Sequence, residues 1–215
     1  IDPLDRLCKQ HDLHLLLTVR PGDFIHPGLP VAQLWSRTRL QGDEQALALM
    51  ARLREAFVIG RDRTVQHDPA FGLTILAEIA QRALSPAVND PGTAMAVLSS
   101  QTRVLIDALR QAPQHSEPAC RRVFHTAADL GGLVSLAMDP IARAGAGSVE
   151  VQHHLMHTLG ALQACCIAPV AEAARAQALR CLRRAHRAGL SPEDLADVEA
   201  AHLRSTPPSQ AAHTP

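Results

Sequence analysis

Tyrosine is absent from this chain of 215 residues, and its aromatic content is one tryptophan and four phenylalanines. A core so poor in rings must rest on Leu, Ala, Val, Ile and Met, which favours packed helices over a β-sandwich. Lysine is nearly absent too: Lys9 stands alone, and every other basic residue except histidine is arginine. That bias, beside abundant alanine, reflects a GC-rich genome rather than a selected function. Basic and acidic residues balance at 21 each. With no basic field to neutralise phosphates, a dedicated nucleic-acid binder is excluded. Cysteines number five, Cys8, Cys120, Cys165, Cys166 and Cys181, with no Cys-x-x-Cys. An odd set without metal spacing points to buried thiols in a reducing compartment rather than a disulfide framework. No apolar run approaches the ~18 residues of a membrane-spanning helix. No secretory leader is visible, and Ile1-Asp2-Pro3 reads as an interior position of a longer protein. Dinucleotide and phosphate loops, the nucleophile elbow and the Ser-x-x-Lys pattern are all missing.

Helix starts, by contrast, are legible. A capping residue precedes proline at Asp2-Pro3, Asp68-Pro69, Asp90-Pro91 and Ser191-Pro192. The side-chain oxygen accepts from an orphan N–H, and proline fits the first helical position because its missing N–H has no partner there anyway. Asp139-Pro140 is a candidate fifth start, or a kink, since Pro140 cannot donate back one turn.

After a short first helix, the run Leu13–Val19, the turns at Pro21-Gly22 and Pro27-Gly28, and the run Pro30–Trp35 read as small β-structure. The turns resemble those of biotinyl-like modules, but without a Met-Lys-Met acceptor no carrier chemistry follows. From Asp43 the period is helical, with Leu47, Met50, Leu53 and Phe57 as the apolar stripe. A helix from Pro69 to about Leu84 is expected to bury Phe71, Ile75, Leu76, Ile79, Ala80 and Ala83. The loop Ser85–Asn89 is short enough for a helical hairpin with the next helix, about Pro91 to Gln111. A linker at 113–118, a short strand near Val123 and four or five further helices follow. The expected fold is mainly α with a small N-terminal β element. Its parts are a short helix and glycine-turn β module over 1–40, a multi-helix bundle over 41–204, and a disordered tail over 205–215.

The densest polar cluster holds Arg63, His67, Asp68, Glu78, Arg82, Ser85, Asn89, Asp90 and Thr93. Antiparallel helices would gather Arg82, Ser85, Asn89 and Asp90 at one pole, where arginine and helix N-terminal N–H groups can hold a small anion. The plainer reading makes Asp68 and Asp90 caps and Glu78–Arg82 a solvated pair at the favourable acid-first spacing of four. His153 and His157 share the spacing of two zinc ligands, but His154 stands where the protease motif needs glutamate. No third ligand is near in sequence. His11 and His14 repeat the idea more weakly. Hence no catalytic residue, metal ligand or cofactor is assigned.

The string Arg82-Ala-Leu-Ser85-Pro-Ala-Val-Asn89-Asp90-Pro-Gly-Thr93-Ala, with Phe71, Glu78 and Ile79 before it, resembles the predicted bacterial membrane proteins grouped as domain of unknown function 2254. Arg20-Pro21-Gly22-Asp23-Phe24, Gly60 with Arg63-Thr64, and Gly147-Ser148-Val149 carry the likeness over roughly residues 1–204. The resemblance implies a membrane-spanning region before Ile1 and an inner-membrane protein of which this is the soluble portion; the thiol usage places that portion on the cytoplasmic side. It supplies no activity. His67 departs from the glutamine the family leads one to expect. The reading is therefore a regulatory or assembly module of a transporter- or channel-like protein. Its partners would be the protein's own membrane region, further copies of itself and a small anion. The alternative is a metal- or anion-binding, hydrolase-like enzyme using the Asp68–Thr93 hairpin.

Overall fold

The computed structural model describes residues 2–36, 43–66, 68–111, 122–126, 128–165 and 167–206. His67, Cys120, Cys166, the expected linker at 113–118 and tail residues 207–215 lie outside them. The architecture is mainly helical with one small sheet, as expected from the scarcity of rings and the legible caps. The chain forms two compact units, residues 1–68 with 113–128, and residues 69–112 with 129–215.

The first unit contains α1 (Asp2–Gln10), β1 (Leu13–Leu17), β2 (Ala32–Ser36), α2 (Asp43–Glu55) and β3 (Val123–His125). The strand order is β2-β1-β3. β1 runs antiparallel to β2, with Leu15 opposite Leu34, and parallel to β3, with Leu15 opposite Val123. Alternation along β1 sends Leu13 and Leu15 to a core shared with Leu4, Leu7, Cys8, Leu49, Leu53 and Val123. The other face carries a ladder of rings: His14 stacks on Trp35 and Phe124, with centroids 5.7 and 6.2 Å apart, and Trp35 on Phe124 at 5.9 Å. Arg122 ties the start of β3 to Asp12 at 2.7 Å.

Two Pro-Gly turns join β1 to β2. Asp23 N–H donates to the Arg20 carbonyl and Leu29 N–H to the His26 carbonyl, with Gly22 at φ 88° and Gly28 at φ 93°. Proline second and a positive-φ glycine third make the type II pattern. The α2 stripe differs from expectation. Leu49 and Leu53 are buried, whereas Leu47 is 71% and Met50 42% exposed. A thirteen-residue helix dense in Leu, Ala and Met supports two apolar phases, and the core shared with Leu4, Leu7 and Leu13 selects one.

The helical unit comprises α3 (Pro69–Ala83), α4 (Pro91–Gln111), α5 (Leu130–Ala144), α6 (Val149–Gln163), α7 (Ala168–Arg187) and α8 (Pro192–Ser205). Its core is Leu98, Met138, Ile141, Leu155, Met156, Leu159 and Leu162, with many alanines between them. Burial of each such large side chain stabilises the unit by roughly 1.5–3 kcal/mol. Ser148 caps α6 and Ser191 caps α8 through their hydroxyls, and Asp129 caps α5. Gln152, fully buried, donates to the Gly145 carbonyl at 2.9 Å and so satisfies the end of α5.

Two expectations are corrected. α5 runs unbroken through Pro140, so Asp139 is no helix start. α3 buries Leu73, Ala77, Ala80 and Ala83, while Ile79 is 40% exposed. Leu73 and a stripe of alanines, rather than Ile79, face its neighbours, and Ala80 and Ala83 are buried as expected. Among the described residues, no helix is long and apolar enough to cross a membrane.

Gly22 is constrained twice. Its φ is positive, and a Cβ there would stand 1.8 Å from Asp68 Oδ2. At Gly28 the φ is positive but the space is open. Gly28→Ala should therefore lose about 1–2 kcal/mol, the left-handed penalty alone, and Gly22→Ala clearly more. Urea unfolding of both variants checks this, and equal losses would remove the packing constraint at Gly22.

Candidate functional site

The residues singled out by sequence fall in both units. Arg63 and Asp68 belong to the first, where the structure brings them together. Arg63 Nε donates to Asp68 Oδ2 at 2.7 Å and Nη2 approaches the same oxygen at 2.6 Å. The Asp68 carboxylate is nearly buried, and the Gly22 turn closes against it. Two segments distant in sequence thus meet at one ion pair: the Arg20-Pro-Gly-Asp turn and the stretch from Arg63 to Asp68.

Glu78, Arg82, Ser85, Asn89, Asp90 and Thr93 belong to the helical unit. Glu78 and Arg82 lie 3.9 Å apart, with side chains 55% and 79% exposed, a solvated pair of small energetic weight. Ser85 and Asn89 shape the hairpin through the backbone. The Ser85 carbonyl accepts from Val88 and Asn89 N–H at 3.0 and 2.8 Å, and Asp90 N–H returns to the Ala83 carbonyl at 2.8 Å. Asn89 takes φ 48°, a left-handed conformation that asparagine tolerates better than most residues. Asp90 caps α4: Oδ1 accepts from Thr93 N–H at 3.1 Å and Oδ2 from the Thr93 hydroxyl at 2.5 Å. The hydroxyl bond first, then the N–H bond, holds the Asp90 carboxyl below its ordinary range.

A denser charged network lies on α5 and α7, where the sequence offers Asp139 only as a candidate helix start. Ser135, Asp139 and Arg143 stand four apart along α5. Gln177, Arg180 and Arg184 stand three and four apart on α7. Asp139 Oδ1 accepts from Arg184 Nη1 at 2.8 Å and Gln177 Nε2 at 3.2 Å, and Oδ2 from Arg143 Nη2 at 2.9 Å. Arg180 lies 3.8 Å from Oδ1, and its guanidinium donates to Gln177 Oε1 and to Ser135 Oγ at 3.4 Å. Burial pushes the Asp139 carboxyl up, but the bonds from Arg184, Gln177 and Arg143 outweigh it and hold it below its usual range. Burial pushes the adjacent Cys181 thiol up to about 12 despite Arg184, so it is inert as a nucleophile. The signal for this network was present as a polar stripe on an otherwise apolar helix. Its two halves lie some forty residues apart, which hid their convergence.

The α6 histidines separate in role. His153 and His157 meet edge to face with centroids 4.7 Å apart. The Ser205 hydroxyl lies 3.1 Å from His157 Nδ1. His154 turns toward α4, where its Nε2 meets the Ser99 hydroxyl at 2.8 Å. Burial, then the charges of His157 and His153, lowers its pKa, against a raising bond to the Met95 carbonyl. Among the described residues, no three His, Cys, Asp or Glu side chains are grouped to hold a metal ion.

Asn89→Ala should destabilise by about 1–2 kcal/mol, because alanine meets the left-handed penalty in full, and Asn89→Gly should restore the loss. Chemical unfolding of both variants checks it, and a glycine variant as weak as the alanine one would remove the backbone explanation. For His154 the folded pKa lies below the unfolded value of about 6.5. The unfolded chain therefore binds more protons in that window, and stability falls as pH drops through about 6.5 until the folded pKa is reached. Thermal midpoints between pH 7.5 and 5 (about the span where histidine titrates) should show this decline, and His154→Gln should flatten it. A decline unchanged in the variant places its origin elsewhere.

The sequence profile of the family described as "Predicted membrane protein (DUF2254)" matches residues 1–161. Uncharacterized proteins of Mycobacterium bovis and Mycobacterium tuberculosis are each 36% identical to the chain over 98 residues, and one from a second Mycobacterium tuberculosis strain is 35% identical over 98. The matched stretch covers 46% of this chain and only 19% of each of those relatives. No solved structure matches the chain. The extent of the family match, through the first unit and nearly to the end of α6, makes the chain a member of the DUF2254 family of predicted membrane proteins.

Proposed function

We propose that this chain is a non-enzymatic, cytoplasmic module of an inner-membrane protein, serving regulation or assembly of a transporter- or channel-like whole. The observation that carries this reading is the use made of the hairpin string. Asn89, Asp90 and Thr93 act in backbone reversal and helix capping, and Glu78 with Arg82 faces water. Side chains spent on geometry are poor candidates for acid–base or nucleophilic work, which needs groups positioned toward a substrate.

Exposed apolar side chains support a role in assembly. Phe24 is 86%, Val58 96% and Ile59 73% exposed in the first unit, and Leu203 is 74% exposed in the second. Val58 and Ile59, neighbours in sequence and both exposed, fit contact with another chain or with the rest of the protein better than they fit water. The partners would be the membrane-spanning region of the same protein and further copies of this chain, and the ligand a small anion.

Native mass spectrometry of the purified chain tests the reading. A dimer or larger assembly is the expected species. Arg82→Ala should leave both assembly and stability within about 0.5 kcal/mol of wild type, as for exposed surface positions. A strict monomer across concentrations would sink the assembly role, and turnover of any hydrolysable substrate abolished by Asp90→Asn would sink the non-enzymatic one.

A further inference from the structure

We infer that the polar seam between α5 and α7 is a binding site for a phosphate group, held by Arg143, Arg180 and Arg184 with the Ser135 hydroxyl. This goes beyond the assembly role and stands whether or not that role does. Two helical stripes converge here: Ser135, Asp139 and Arg143 from one helix, Gln177, Arg180 and Arg184 from the other.

The charge balance carries the inference. Three guanidiniums share one carboxylate, and among the described residues no second carboxylate comes within 4.0 Å of any of them. Asp139 can serve only two fully. Arg184 occupies Oδ1 and Arg143 occupies Oδ2. Arg180 is left 3.8 Å away, bonded to a neutral amide and a hydroxyl. Gathering a third guanidinium beside two others is repulsive, the more so where water is partly excluded. Arg184 is 26% and Arg180 37% exposed, so screening is incomplete. The formal excess of two positive charges matches a phosphate monoester or inorganic phosphate near neutral pH.

The geometry is pre-organised as well. Gln177 is fully buried. Its amide donates to Asp139 while its carbonyl accepts from Arg180, so both α7 arginines are fixed by one aspartate–glutamine pair. Each guanidinium has five N–H donors, and the bonds just described use a minority of the fifteen or so available. Arg143, 68% exposed, leaves the seam open to a ligand from water. Fixed planar forks with spare donors are the arrangement that recognises phosphate oxygens in pairs. Asp139 and Gln177 are positioning residues, and the three arginines and Ser135 are the contacts.

A phosphate group reaches such a seam free in solution or as an anionic lipid headgroup, and the test separates the two. The whole chain, in chloride buffer at constant ionic strength, is titrated with inorganic phosphate while its thermal midpoint is followed. In parallel it is floated with phosphatidylcholine vesicles, with and without phosphatidic acid, whose headgroup is a phosphate monoester. Wild type should be stabilised by phosphate or float only with the anionic vesicles. Arg180→Gln should weaken that response about tenfold or more, in line with the strength of charge-assisted bonds, whereas Arg82→Gln should leave it unchanged. A phosphate response assigns a soluble ligand, and a vesicle response alone assigns a headgroup. Where Arg180→Gln fails to fold, the exposed Arg143→Gln serves, with the same loss expected. The site is overturned where neither probe acts on wild type, or where a folded arginine variant responds as wild type does.

Discussion

The helical unit depends on how closely α7 can approach its neighbours. Its buried face is Val170, Ala174, Gln177, Ala178, Cys181 and Ala185. Apart from Val170 and Gln177 these are small side chains, three alanines and a cysteine. Small residues let helix axes come to the near end of the usual 8–10 Å range, so α5 and α6 can both pack against one helix. Close approach also forces Gln177 out of water. A buried amide must find partners, and it finds them in Asp139 and Arg180. The polar seam is thus a consequence of alanine packing as much as of the charges that fill it.

Local rules read the helix starts well, because a cap followed by proline acts within one turn. Pro69, Pro91 and Pro192 each open a helix. The same rule failed at Asp139-Pro140, where the residues on either side are held by tertiary contacts. Met138 and Ile141 are fully buried, and Asp139 is bonded to α7, so the segment stays helical despite one missing donor. Apolar phase was the second failure. In α2 and α3 the sequence offers Leu, Ile, Met and Phe on more than one side, and only the neighbouring elements decide which side is covered. The third strand of the sheet pairs with β1 across more than a hundred residues, a separation no periodicity can bridge.

The family string around Ser85–Thr93 was conspicuous because it is dense in Asn, Asp, Ser and Pro. Density of that kind marks turn chemistry as readily as ligand chemistry, and here backbone reversal and capping account for much of it. Arg63 and Asp68 were legible as polar residues in one stretch. Their closure against Gly22 was not, since it depends on a turn forty residues earlier. The α5–α7 arginines were the least legible group. Each sits in an unremarkable amphipathic context, and only three-dimensional packing shows that they crowd one carboxylate.

The ring ladder of the first unit has a spectroscopic consequence. Trp35 is the chain's one tryptophan, and tyrosine is absent, so the tryptophan emission that dominates the fluorescence arises at β2 alone. Helical dichroism arises mainly from the second unit, whose six helices hold most of the described helix. Two optical signals therefore watch two compact units separately, without any label. Coincident unfolding curves would mean that the units melt as a single cooperative body, and separated curves that each holds its own stability.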